Sequence, residues 1–161
     1  MDAFEAELTA LLPRLRRFGR ALARDAADAD DLVQVALERA LKARAQWVPG
    51  TRLDSWMLKI MRNCWIDETR SRSRRARSLA PEEEGLAVRD PSADPEQAAA
   101  MRDVDRAMAA LPEQQREVIA LVLVEGLAYR EAADVLEIPI GTLTSRLTRG
   151  RQALVQMLEA A

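Results

Sequence analysis

Apolar residues recur along this chain at steps of three and four, a spacing that predicts helices on both sides of one irregular stretch. Phe4, Leu8, Leu11, Leu12, Leu15 and Phe18 mark the apolar face of a first helix over residues 3–23. Pro13 falls inside it and predicts a kink or a restart, because proline lacks an amide hydrogen and crowds the preceding turn. Asp28 is a candidate N-cap for a second helix, with Asp31 in its first turn. Leu32, Val33, Ala36, Leu37, Ala40 and Leu41 form its apolar stripe, and Asp31, Gln34 and Glu38 line the other side. Trp47-Val48-Pro49-Gly50 then predicts a loop. A third helix starts near Leu53, with Leu53, Met57, Ile60, Met61 and Cys64 inward and Asn63, Asp67, Arg70 and Arg74 on a second face.

The periodicity stops over residues 78–95, where Pro81, Gly85, Pro91 and Pro95 accompany the run Glu82-Glu83-Glu84. Such a stretch cannot bury enough apolar surface to offset its ordering entropy, so it reads as a flexible acidic linker. Helical spacing then resumes. Asp94 can cap a helix that opens with Pro95 and runs to Ala110. Three more helices are expected: one after Leu111-Pro112, one over 129–136, and one over 140–158 after Ile138-Pro139. The expected fold is all-α, with two small helical domains over 1–77 and 96–161 joined by the linker at 78–95.

The last two helices carry the most specific local pattern. Ala128, Ala132, Ala133 and Leu136 are suited to a close crossing, and Leu143, Leu147 and Leu154 form the facing stripe. The outward residues are Thr142, Thr144, Ser145, Arg146, Thr148, Arg149 and Arg151. This is a helix-turn-helix pattern, whose second helix enters the DNA major groove. Serine and threonine can reach bases and phosphates, and arginine can fork onto guanine or hold phosphate. A helical hairpin with a solvated basic face is the alternative. Gly150, inside this helix, has no explanation in the pattern, since glycine there costs about 1 kcal/mol relative to alanine.

Charge sharpens the picture. The chain has 24 basic and 26 acidic residues, a net charge of -2, which by itself counts against a free-standing DNA binder. The charges are segregated, however: residues 52–77 carry +5 and residues 78–105 carry -6. A basic third helix near Trp47, Trp56 and Trp65 would suit an opened DNA strand, whose bases stack on aromatic rings. The alternative, favoured for any single tryptophan, is that the three are core and the arginines a solvated face. With no histidine and one cysteine, the common zinc sites cannot form, and no nucleophile–base pair is evident. No enzyme activity, cofactor, metal or small-molecule substrate is therefore expected. No run is long and apolar enough to predict membrane insertion, the N-terminal residues lack a signal-peptide pattern, and a reducing cytoplasm is the expected setting.

Five segments occur in an informative order: Asp30-Asp31-Leu32-Val33-Gln34, Ser55-Trp56-Met57-Leu58-Lys59-Ile60-Met61-Arg62-Asn63, Asp67-Glu68-Thr69-Arg70, Leu111-Pro112, and Gly141-Thr142-Leu143-Thr144-Ser145-Arg146-Leu147. Together they resemble the extracytoplasmic-function (ECF) sigma factors of bacterial RNA polymerase, over nearly the whole chain outside the linker. The resemblance implies a factor that binds core polymerase and directs it to promoters in a stress or envelope response. It implies polymerase binding through Asp31, Gln34 and Glu38. It implies opening and reading of the promoter -10 element by Trp47, Arg52, Arg62, Asn63, Asp67 and Arg70. It implies reading of the -35 element by Thr144, Ser145, Thr148 and Arg149, with Arg146 and Arg151 on phosphate or in structural roles. An anti-sigma partner is expected, and the acidic linker is expected to lie in the polymerase's nucleic-acid channel. Two positions depart from the family: Thr144 stands where a bulky basic residue is common, and Glu137 where the turn usually has glycine. A stand-alone helix-turn-helix regulator and a decoy that titrates an anti-sigma factor remain as alternatives.

Overall fold

The computed structural model describes residues 1–76 and 94–160. It contains helices and turns, with no strand among the described residues. The chain divides into two compact units, Met1–Leu86 and Ala87–Ala161. The predicted linker lies almost wholly outside the described residues.

The N-terminal unit packs three helices against one another: α1 (Ala3–Ala23), α2 (Ala26–Lys42) and α3 (Leu53–Ala76). Asp2 caps α1 in a reciprocal box: its carboxylate accepts from the Glu5 amide at 3.0 Å, while Glu5 accepts from the Asp2 amide. Pro13 does not restart the helix. It is exposed, and the Thr9 residue whose carbonyl loses its usual partner is exposed too, which limits the cost of the missing bond. The N-cap of α2 is Asp25, not Asp28. Asp25 accepts from the Asp28 amide at 3.4 Å, and Asp28 sits one turn in, where Arg72 of α3 grips it. Phe18, Leu15, Leu22, Met57, Leu58 and Met61 are fully buried at the centre. Leu41, read as part of the inner stripe, is 51% exposed, whereas Trp65 is buried.

The C-terminal unit holds four helices: α4 (Pro95–Ala110), α5 (Glu113–Ile119), α6 (Tyr129–Leu136) and α7 (Ile140–Glu159). Asp94 caps α4 and Pro95 opens it, as its sequence predicts. The α5 helix widens at its end into a π turn, Ala120–Val124, in which the Glu125 amide donates to the Ala120 carbonyl at 2.9 Å. Gly126 then takes a φ of +72°, a left-handed conformation that glycine adopts without steric cost. The helices α5 and α6 both pack on α7, around Val118, Ile119, Leu121, Leu136, Leu143 and Leu147.

Gly150 is explained by the crossing of α5 and α7. A Cβ there would stand 3.0 Å from Cγ1 of Ile119 and 3.4 Å from Cβ of Gln115. The missing side chain lets α7 approach α5 closely, which offsets its poor helix propensity. Arg116 and Glu117, which fall between the apolar positions of α5, are buried, as is Glu125. Arg116 donates through Nη1 to the Leu111 carbonyl at 3.0 Å and so anchors the turn between α4 and α5.

Candidate polymerase-docking and nucleic-acid surfaces

The acidic face of α2 belongs to a defined cleft. Asp31, Gln34 and Glu38 line a cavity of about 340 Å³ whose other wall is Cys64, Trp65, Glu68 and Arg72 of α3. Asp31, Gln34 and Glu38 are exposed, and Val35 between them is 42% exposed, so an apolar spot lies within a mostly acidic rim. That combination suits a partner helix offering basic and apolar groups. The cleft is braced by Arg72, which donates to both carboxylate oxygens of Asp28 at 2.6 and 2.7 Å and to Glu68 at 3.0 Å. The Arg72 bonds hold the Asp28 carboxyl below its usual range despite some burial. Burial pushes the Cys64 thiol up, so it stays protonated and behaves as core.

The residues assigned to -10 reading occupy two places. Trp47 and Arg52 lie on the segment between α2 and α3, which includes a 3₁₀ turn at Arg44–Gln46. Trp47 is half-buried, its ring centroid 5.4 Å from that of Phe4, and its indole Nε1 is buried without a hydrogen-bond partner. Trp56 meets the same Phe4 ring edge-on at 6.3 Å. The tryptophans are therefore packing residues to a larger extent than a strand-stacking role alone requires. Arg52 is exposed and donates to Asp54 at 2.7 and 3.1 Å. Asp54 also accepts from Arg14 of α1 at 3.0 Å. Burial raises the Asp54 pKa, but bonds from Arg52, Arg14 and the Ser55 amide outweigh it and bring the group down to about 2.

The remaining -10 candidates lie on α3. Arg62 and Asn63 are half-buried, while Asp67 and Arg70 are exposed. The Asp67 carboxylate meets Arg39 of α2 at 2.9 Å, a tie that its spacing along α3 could not reveal.

On α7 one face is buried at Leu143, Leu147 and Gly150, and the opposite face exposes Thr144, Ser145, Thr148, Arg149 and Arg151. Arg146 is half-buried. The Thr144 hydroxyl donates to the Ile140 carbonyl at 2.9 Å and the Thr148 hydroxyl to the Thr144 carbonyl at 3.0 Å. With their protons used, both hydroxyls offer lone pairs outward. Ser145, Arg146 and Arg149 also line a cleft of about 640 Å³ with Gln114 and Gln115 of α5. The two glutamines are missing from the sequence-based set, and only the α5–α7 crossing brings them to α7. Glu137 closes α6 in the left-handed conformation, φ 54° and ψ 46°, a region that favours glycine. Among the described residues no group of three His, Cys, Asp or Glu side chains could hold a metal ion, and no helix is long and apolar enough to cross a membrane.

Comparison with known proteins bears on both units. Residues 8–75 match the family of sigma-70 region 2, and residues 101–154 match sigma-70 region 4. The chain is 33% identical to the ECF RNA polymerase sigma factor EcfG of Rhodopseudomonas palustris, over 98% of this chain and 86% of that one. It is 32% identical to the ECF sigma factor SigM of Mycobacterium tuberculosis, over 90% of this chain and 71% of that one. Among solved structures it resembles the sigma factor RpoE in complex with the anti-sigma factor NepR from Bartonella quintana. The TM-score is 0.88 at 30% identity, over 99% of this chain and 98% of that one.

Proposed function

The chain belongs to the ECF sigma factors of the sigma-70 family, and from that premise we infer how its surfaces divide the work of promoter-specific initiation. It is a transcription initiation factor and not an enzyme. It binds core RNA polymerase and promoter DNA, and the polymerase supplies the catalysis. The cleft of Asp31, Gln34 and Glu38 docks the polymerase, with the apolar spot at Val35 adding a contact that charge alone does not give. The segment holding Trp47 and Arg52, with Arg62, Asn63, Asp67 and Arg70 of α3, opens and reads the -10 element. The α7 face reads the -35 element.

The observation that carries this reading is the two-sidedness of α7. Its inner side is committed to the core at Leu143, Leu147 and Gly150, so its outer row of hydroxyls and guanidinium groups is rigidly presented. Thr144 and Thr148 offer acceptor lone pairs to base amino groups and methyl groups to thymine. Arg149 reads guanine, and Arg146 and Arg151 hold phosphate. Gln114 and Gln115 extend the same surface. A net charge of -2 keeps the free protein from binding DNA strongly, and docking on polymerase raises the effective concentration of both readers.

An anti-sigma factor of the kind bound in the Bartonella complex covers the docking surfaces until a stress or envelope signal releases them. The protein acts in the cytoplasm.

Transcription from genomic fragments by sigma-free bacterial core polymerase with this protein tests the reading. Discrete start sites sharing two spaced elements are expected. Failure to bind core overturns it in favour of a stand-alone regulator, and core binding without start sites favours a decoy.

A further inference from the structure

The segment over 43–52 is tied to α1 at both of its ends. At its start, the Arg44 guanidinium lies 4.8 Å above the Phe4 ring and also pairs with Asp2, the residue that caps α1. In its middle, Trp47 packs against the same ring, and Phe4, in contact with both Trp47 and Trp56, is only 4% exposed. At its end, Arg52 and Arg14 share the Asp54 carboxylate. The turn between these ties closes on itself: the Thr51 amide and hydroxyl both donate to the Val48 carbonyl, and Gly50 takes a φ of +88°.

Trp47 shows that the ties set the shape of the segment. An indole N–H left to itself turns toward water or an acceptor. Here Nε1 is buried without a partner, so the packing against Phe4 overrides that preference.

We propose that α1 is a clasp for the promoter-opening segment, with Phe4 as the positioning residue that holds Trp47 and Arg52 in the shape that captures the opened strand. The proposal rests on the reading of Trp47 and Arg52 as part of the -10 surface. Phe4 itself touches no DNA and acts through Trp47. The Asp2–Arg44 pair is about half exposed on both sides and contributes less.

The test uses the full chain with core polymerase on a promoter recovered by the start-site experiment, as duplex and with a pre-melted -10 bubble. Core affinity, strand capture and hydrogen exchange over 43–52 are measured together. Phe4→Ala is expected to keep core affinity, speed exchange over 43–52 and weaken capture on both templates by about tenfold or more. Phe4→Tyr, which keeps the ring, is expected to recover most of the loss. Arg44→Gln leaves the buried core in place and is expected to weaken capture about threefold. Normal capture by Phe4→Ala overturns the clasp, as does a loss of core affinity equal to the loss of capture in a folded protein. If Phe4→Ala does not fold, normal capture by Arg44→Gln overturns it. Arg52→Gln separates the premise from the clasp: unaltered capture in that variant removes the premise. Weakened capture in Arg52→Gln beside normal capture in Phe4→Ala fails the clasp alone.

Discussion

The N-terminal unit ties its helices together with charges that reach far along the sequence. Arg14 meets Asp54, Arg39 meets Asp67, Arg44 meets Asp2, and Arg72 meets Asp28, each pair joining segments distant in the chain. The C-terminal unit buries charge as well, at Arg116, Glu117 and Glu125, but its most demanding feature is a close apolar contact. One ion pair there, Arg106 with Asp103, lies within one helix, while Gly150 lets α7 press against Ile119. Long-range ion pairs thus brace the unit read as docking polymerase and capturing a strand. In the unit read as holding duplex DNA, the α5–α7 crossing depends on volume. Charge ties loosen with acid and salt, whereas a close-packed crossing responds to a single methyl group.

The largest test of this contrast is Gly150→Val. A Cβ and two methyl groups would enter a space where the Cβ alone would stand 3.0 Å from Cγ1 of Ile119. The C-terminal unit should lose about 2–3 kcal/mol, read by thermal melting, with little dependence on salt. A strongly salt-dependent loss would erase the distinction between the units.

Asp54→Asn comes next and acts on the N-terminal unit. The folded carboxyl is held at about 2, below its usual 3.8, so its contribution is present above pH 4 and is lost as pH falls toward 2. The substitution should cost on the order of 1–2 kcal/mol at neutral pH and flatten acid unfolding between pH 4 and 2, followed by circular dichroism. An acid limb that persists unchanged would place the sensitivity on other groups.

The smallest effect has the opposite sign. Glu137 occupies a left-handed conformation that costs a side chain free energy, so Glu137→Gly should stabilise the C-terminal unit by about 0.5–1 kcal/mol in denaturant titration. No gain would mean that the side chain's own contacts compensate.

Where a single helix decides an outcome, the sequence is legible. The limits of α1, the Asp94-Pro95 start of α4 and the two-faced pattern of α7 all follow from spacing and capping within a few residues. Where a second helix decides, it is not. Asp28 reads as the cap of α2 on paper, yet Asp25 caps it and Asp28 is taken by Arg72, more than forty positions away. Arg116 and Glu117 fall between the apolar positions of α5 and are nonetheless buried. Their burial depends on how the turn from α4 enters, which the apolar run after them does not encode. That run also hides the π turn, because every register of five apolar residues looks alike. Likewise, Asp31, Gln34 and Glu38 could be placed on one face from spacing alone, but the cleft needs the wall that Trp65 and Arg72 supply. Gln114 and Gln115 escaped notice for the same reason.

The contact of Gly150 with Ile119 also has a history in it. An alanine at 150 would crowd Cγ1 of Ile119, an atom that valine at 119 would keep, so it would improve the helix only if Ile119 were first replaced by a residue without that branch. Neither change is neutral in every background, so the order in which they arise decides which lineages survive them. Positions 119 and 150 should therefore be inherited as a pair, the glycine persisting in descendants that keep that branch and giving way in those that have lost it.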